Sequence, residues 1–171
     1  MINWACPNSR RCATMPEPDA SLPELVLRRL AISEQVAAAK FGAGRPVDDP
    51  VREQRELVRV RSLARETGLD PDLAAAFLSD QIAASKQVQH RLFAHWTAHP
   101  GDRPDGGRDL SVLRAELDAL TVALLDRLAA AGPEPLEPPE TPDKLKQEPL
   151  RTAFRTLSRQ RPAPGASGNG P

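Results

Sequence analysis

Eight polar residues of this 171-residue chain stand on segments that read as helices, seven of them at helical spacing from another of the set. Arg29 and Lys40 are eleven residues apart, close to three helical turns, so one helix would project both from the same face. Asp49, Arg52 and Glu53 stand at i, i+3 and i+4, which makes them neighbours around the start of a second helix. Ser85 and Gln89 form an i, i+4 pair flanked by Ile82 and Val88, and Arg114 stands beside Leu113 at the head of a leucine-rich run. The chemistry open to such a set is the gripping of an anion, because the guanidinium fork matches a carboxylate bidentately while serine and glutamine add neutral hydrogen bonds. Taken singly, each residue reads as ordinary solvated charge with an i, i+4 partner, an arrangement of little energetic weight.

Other candidates are weaker. His95 and His99 have a spacing that can hold a metal, but no third ligand lies nearby in sequence, so a helix end is the reading and no metal is expected. Gly42-Ala43-Gly44 is preceded by no strand and followed by no Lys-Ser/Thr pair, unlike a phosphate loop. Phe93 and Trp96 read as core anchors. Arg55, Arg59, Arg61 and Arg65 alternate with Glu53, Glu56 and Glu66 as a salt-bridged outer face.

Prolines and glycines mark out the elements that must position these residues. A helix is expected from Leu22 to Phe41, with Leu25, Leu30, Ile32, Val36 and Ala39 on its apolar stripe and Gly42 to Pro46 as its terminator. Asp48 or Asp49 can cap a second helix that has Pro50 in its first turn and runs to about Thr67, where Gly68 closes it. Asp70-Pro71 opens the longest helix, to about Thr97, carrying Leu73, Ala76, Phe77, Ile82, Val88, Leu92, Phe93 and Trp96. A Gly/Pro/Asp loop over 98–108 leads to a fourth helix from about Asp109 to Ala131. Five prolines between Pro133 and Pro142 read as an extended linker, with a short helix over 143–158 and a low-complexity tail after it. No segment alternates with period two, so the fold class is all-α: a bundle of four main helices, one long, plus a short C-terminal helix. The domain is expected over 21–131, with 1–20 disordered and 132–171 as linker and tail.

Composition narrows the function. Lys and Arg total 23, Asp and Glu total 23, and the net charge is zero, which argues against a nucleic-acid partner. No apolar run approaches the ~18 residues that span a bilayer, so no membrane partner is expected. Of the 23 bases, four are Lys and nineteen Arg. Cys6 and Cys12 are the two cysteines, too few for a disulfide framework and not at a zinc spacing.

The order of the motifs carries more than any one of them. The run Arg28-Arg29-Leu30, Val36-Ala37-Ala38-Ala39-Lys40, Arg45-Pro46-Val47-Asp48-Asp49, Arg52-Glu53 and Gln81-Ile82-x-x-Ser85-x-x-x-Gln89 resembles the all-helical chorismate mutases over about 22–97. Leu113-Arg114-Ala115-Glu116-Leu117-Asp118-Ala119-Leu120 resembles their arginine-bearing helix. Short dimeric members place that helix first; here it follows the core motif, as in the longer subclass whose single chain completes its own pocket.

The resemblance implies a one-step pericyclic rearrangement of chorismate to prephenate, needing no nucleophile, metal or cofactor. It implies that Arg29, Arg52 and Arg114 clamp the two substrate carboxylates with help from Ser85. Lys40 and Gln89 would donate to the ether oxygen, and Asp49 with Glu53 would meet the ring hydroxyl. Four cations from three helices would make the pocket strongly basic despite the neutral chain. The same scaffold also serves isochorismate-pyruvate lyases and aminodeoxychorismate mutases; the two acids favour a ring hydroxyl and hence chorismate. A non-catalytic helical binding module would instead scatter these side chains over the surface. A homodimer is compatible with the sequence. The start lacks the apolar core of a signal peptide, so the chain as it stands reads as cytoplasmic. The subclass is usually exported and often carries a C-terminal disulfide, for which nothing after Cys12 is available; a misplaced or trimmed start would reconcile the two.

Overall fold

The computed structural model describes residues 20–105, 107–131 and 136–159. The expectations for 1–19, for the first part of the linker at 132–135 and for the tail after 159 lie outside the described residues. Six α-helices follow in order: α1 (Leu22–Gly42), α2 (Pro50–Thr67), α3 (Pro71–Ala98), α4 (Leu110–Ala131), α5 (Lys144–Ala153) and α6 (Arg155–Arg159). No strand occurs among the described residues, and no helix among them is long and apolar enough to cross a membrane. The expected all-α bundle is the observed fold.

Local chemistry accounts for the boundaries. Ser21 and Glu24 form a reciprocal capping box at the head of α1. Asp49 caps α2 by accepting from the Arg52 amide at 3.2 Å, with Pro50 in the first turn where no amide hydrogen is required. Gly68 ends α2 at φ 74°, a left-handed conformation that a β-carbon would strain. Asp70 caps α3 in the same way as Asp49 caps α2, accepting from Asp72 and Leu73. The 98–108 loop holds one 3-10 turn, Pro100–Asp102, steadied by a His95–Asp102 contact of 2.9 Å. The His95 ring also stacks on His99, so this pair serves a helix end.

The long α3 is the central strut, with α1, α2, α5 and α6 packed around it and α4 laid across α1 and α2. Leu25, Val26 and Leu30 of α1 meet Phe77, Ala84 and Val88 of α3 and Leu120, Leu124 and Leu128 of α4 in the main core. A smaller cluster of Val60, Ala64, Ala74, Leu78 and Leu125 ties α2 to α3 and α4. Phe41, Phe93 and Trp96 stack edge-on at the far end, with centroids 5.1 and 5.3 Å apart from the Phe41 ring. Ala76, expected on the buried stripe of α3, is exposed: the packed faces fall instead at Ala74, Ala75, Phe77 and Leu78.

The C-terminal segment differs most from its sequence reading. The single helix expected over 143–158 is broken at Phe154 into α5 and α6. The break has local causes. Buried Asp80 on α3 accepts from the Thr156 amide at 2.7 Å and its hydroxyl at 2.6 Å, so a side chain of α3 caps α6. Gln81 donates to the Ala153 carbonyl at 2.8 Å, and Phe154 is driven fully into the core beside Leu150 and Leu157. Pro149 sits inside α5 and cannot bond the Leu145 carbonyl, which accepts from Arg91 instead. These helices extend the hydrophobic core beyond residue 131. Replacing Phe154 with Ala should therefore destabilise the whole domain by ~3–5 kcal/mol. Urea unfolding of Phe154→Ala should show one cooperative transition at a clearly lower midpoint, whereas a midpoint equal to the parent's would mean that α5 and α6 are not part of the core.

Candidate active site

Where the polar faces of α1, α2, α3 and α4 meet, they enclose an open-mouthed cavity of about 690 Å³, counting the space at its mouth. All eight residues singled out by spacing line it, within one chain: Arg29 and Lys40 from α1, Asp49, Arg52 and Glu53 from the head of α2, Ser85 and Gln89 from α3, and Arg114 from α4. None of them scatters to an outer face.

Arg29 lies deepest. Its guanidinium donates to Thr121 Oγ1 at 2.9 Å and the Leu117 carbonyl at 3.2 Å, and its Nε is buried with no partner. Burial lowers its pKa to about 10, well under the ordinary arginine value, against the opposing pull of Glu56 and Asp118. Lys40, also buried, donates from Nζ to the Val47 carbonyl at 2.6 Å. Desolvation pulls its pKa below the usual lysine range, partly offset by the nearby Asp49 carboxylate. Among the described residues neither cation has a carboxylate within salt-bridge reach, so each buried charge has only neutral oxygens as its hydrogen-bond partners.

The mouth is wired differently. Arg52 lies 3.6 Å from Glu56 and 3.7 Å from Asp118, and Arg114 lies 3.7 Å from Asp49. These are long, half-exposed pairs of the kind worth at most ~1 kcal/mol. Lys86 bridges Asp48 at 2.5 Å and Glu53 at 3.1 Å, while His90 approaches Asp48 at 3.3 Å. Inside, Gln89 Nε2 donates to Ser85 Oγ at 3.0 Å, Ser85 and Ser33 hydroxyls lie 2.7 Å apart, and Gln89 Oε1 is buried without a partner.

Two sequence expectations change. The cavity is not simply basic, because its five cations, Arg29, Lys40, Arg52, Lys86 and Arg114, face four carboxylates, Asp49, Glu53, Glu56 and Asp118. The arginine-rich face of α2 is likewise not self-contained. Arg59 pairs with Glu56 but also with Asp118 of α4 at 3.4 Å, Arg61 reaches Asp72 of α3, and Glu53 turns inward to Lys86. Spacing overlooked Lys86, Glu56 and Thr121. Of these, Glu56 and Lys86 had a usable signal, each lying one turn from or next to a chosen residue; Thr121 becomes visible only when α4 crosses α1.

Gly107 sets the approach of the segment leading into α4. A β-carbon there would stand 2.8 Å from the backbone of Ala39, one residue before Lys40, so only glycine lets this segment lie against α1.

The state of Arg29 yields a stability prediction. Its folded pKa lies below its unfolded value, so the charged form opposes folding at neutral pH, by on the order of 3 kcal/mol for a shift of this size. Arg29→Met, of similar length and apolar, should leave the melting temperature unchanged or raise it. A marked loss of thermal stability in that variant would show that the guanidinium is instead a net structural support.

Known proteins resemble this chain in both sequence and shape. The family model described as chorismate mutase type II matches residues 14–90. A secreted chorismate mutase of Mycolicibacterium smegmatis is 33% identical over 126 residues, covering 74% of this chain and 70% of that protein. The secreted chorismate mutase of Mycobacterium tuberculosis is 30% identical over 109 residues, of which this chain spans just over half the length, 55%. The crystal structure of a chorismate mutase from Burkholderia thailandensis superposes with a TM-score of 0.71 at 34% identity, over 80% of this chain and 96% of that one. A chorismate mutase from Burkholderia phymatum superposes with a TM-score of 0.70 at 27% identity, over 80% and 93% of the two chains. Sequence identity and extent of superposition agree, and this chain belongs to the all-helical, type II chorismate mutase family.

Proposed function

We propose that the cavity converts chorismate to prephenate by holding the substrate's compact conformer and stabilising the charge that grows on its ether oxygen. The reaction is an internal rearrangement: the ether C–O bond breaks as a new C–C bond forms, with no atom gained or lost. Such a step asks a protein for orientation and for donors aimed at the developing charge. The observation that carries this reading is the pair Lys40 and Gln89, both buried, on facing helices, lining one cavity among three arginines.

Position in the cavity supports the roles that the resemblance implies. Arg29, Arg52 and Arg114 receive the two carboxylates. Arg52 and Arg114 are free to do so because their present pairs at 3.6–3.7 Å are weak beside a bidentate contact. Ser85 assists one carboxylate. The Lys40 ammonium and the second N–H of Gln89 Nε2 donate to the ether oxygen, in surroundings where desolvation strengthens both. Asp49 and Glu53 meet the ring hydroxyl, with Glu53 held in place by Lys86. The eight residues come from one chain, which supports a catalytic unit that needs no second copy, whether or not two copies associate. The secreted relatives support an exported enzyme.

Purified protein should consume chorismate and form prephenate without releasing pyruvate. Pyruvate would point to a lyase, and inertness to a binding module. Lys40→Ala should lower kcat by ~10²–10³, about 3–4 kcal/mol of barrier. Glutamine donates at any ordinary pH, so kcat should stay nearly flat from mildly acidic to mildly basic conditions. Because burial lowers the Lys40 pKa, the proton is lost, and activity with it, at a pH below the usual lysine range. A pH–rate profile tests both limbs; a steep acid optimum would exclude Gln89 as the ether donor.

A further inference from the structure

Ser33 is fully buried on α1, one turn after Arg29, facing Ser85 on α3. Its hydroxyl lies within donating distance of two acceptors, the Arg29 carbonyl at 3.0 Å and Ser85 Oγ at 2.7 Å. The first acceptor already holds the helical N–H of Ser33, so it loses little when the hydroxyl turns away. The second matters more. A serine oxygen has two acceptor sites and one proton, and Gln89 Nε2 fills one acceptor site of Ser85. If Ser33 donates to the Arg29 carbonyl, Ser85 spends its proton on Ser33 and has none for a ligand. If Ser33 donates to Ser85, both acceptor sites of Ser85 are filled and its proton is directed into the cavity.

We infer that Ser33 is a positioning residue, whose hydroxyl turns from the Arg29 carbonyl to Ser85 when substrate arrives and so frees the Ser85 proton for a substrate carboxylate. The inference rests on the reading of the cavity as the chorismate site. Ser33 also keeps Ser85 turned toward α1. Without that partner, a mid-helix serine falls back on the carbonyl four residues before it, here that of Gln81, and takes its proton out of the cavity. Gln89 then loses the acceptor that fixes its amide. The chain of contacts Ser33–Ser85–Gln89 thus joins α1 to the donor side of the cavity without Ser33 touching substrate.

The test is a double-mutant cycle read in steady-state kinetics. Ser33→Ala should raise KM for chorismate about three- to tenfold, the worth of one neutral hydrogen bond, with a smaller fall in kcat. Ser33→Thr, which keeps the hydroxyl, should restore KM, and adding Ser33→Ala to Ser85→Ala should change nothing further. A parental KM in Ser33→Ala, or an equal effect of that change with and without Ser85, overturns the inference. Melting temperatures of the three variants separate a general packing loss from this specific pattern. If the parent chain leaves chorismate untouched, the functional reading fails, and the contact chain is then judged by NMR alone. Side-chain amide resonances of Gln89 should shift in Ser33→Ala and return in Ser33→Thr; unmoved resonances overturn it.

Discussion

Positive charge held in the interior without a fixed carboxylate partner is the constraint on which this molecule is built. Arg29 and Lys40 are taken out of water and given only a hydroxyl and backbone carbonyls as partners. Ions in such surroundings are costly, and both groups show it in lowered pKa values. The folded chain tolerates them because the apolar packing elsewhere is extensive. α1, α3 and α4 supply most of the main core, and α5, α6 and the break between them close its remaining side with Leu150, Leu157 and Phe154. In the proposed function the missing counter-charge is the substrate itself. An anion entering the cavity relieves the penalty that the empty fold carries, so part of its binding energy comes from charges already desolvated and oriented.

The backbone around these charges is specified just as closely. Lys40 is held by the carbonyl of Val47, which belongs to the turn between α1 and α2. That turn is positioned by the Asp49 cap and Pro50 at its far end, so a capping motif two residues away fixes the acceptor of a buried ammonium. On the other side, Gly107 lets the segment before α4 lie on the backbone of Ala39, which brings Arg114 to the same cavity. Helix boundaries and cavity geometry are therefore the same set of interactions. A change that lengthened either loop would move a donor without touching a functional side chain.

What was legible in the sequence followed the range of the interaction responsible. Capping residues, the proline and glycine punctuation and the i, i+3/i+4 pairs act within a turn or two, and they read directly as α1 to α4; the eight cavity residues become a set only through the order of motifs that carries the family resemblance. Contacts between helices distant in sequence left weaker traces. Nothing local to Thr121 says that it will meet Arg29, ninety-two residues away, and nothing in the α5 sequence announces that Asp80 will cap the next helix. The helix expected over 143–158 runs through Pro149, which lacks an N–H; α5 accommodates it because Arg91 supplies the donor that the Leu145 carbonyl lacks. The expected basic pocket failed for a related reason. Counting charges along the chain could not reveal that Glu56 and Asp118 turn inward toward Arg52.

Those inward carboxylates divide the cavity into two kinds of cation. At its floor, Arg29 and Lys40 are desolvated and lack acidic partners, so they gain most from an arriving anion. At its mouth, Arg52 and Arg114 are partly exposed and already paired, so in the proposed function a ligand carboxylate is for them an exchange of one partner for another. An exchange of this kind is nearly neutral in energy but discriminating in geometry, because only an anion presenting its oxygens at the right separation can replace both existing pairs at once. In the proposed function the floor then supplies affinity and the response to growing charge, while the mouth supplies selection. Within the cavity, carboxylates compensate the cations that in this reading need only select, and stand beyond salt-bridge reach of the two whose charge must remain available.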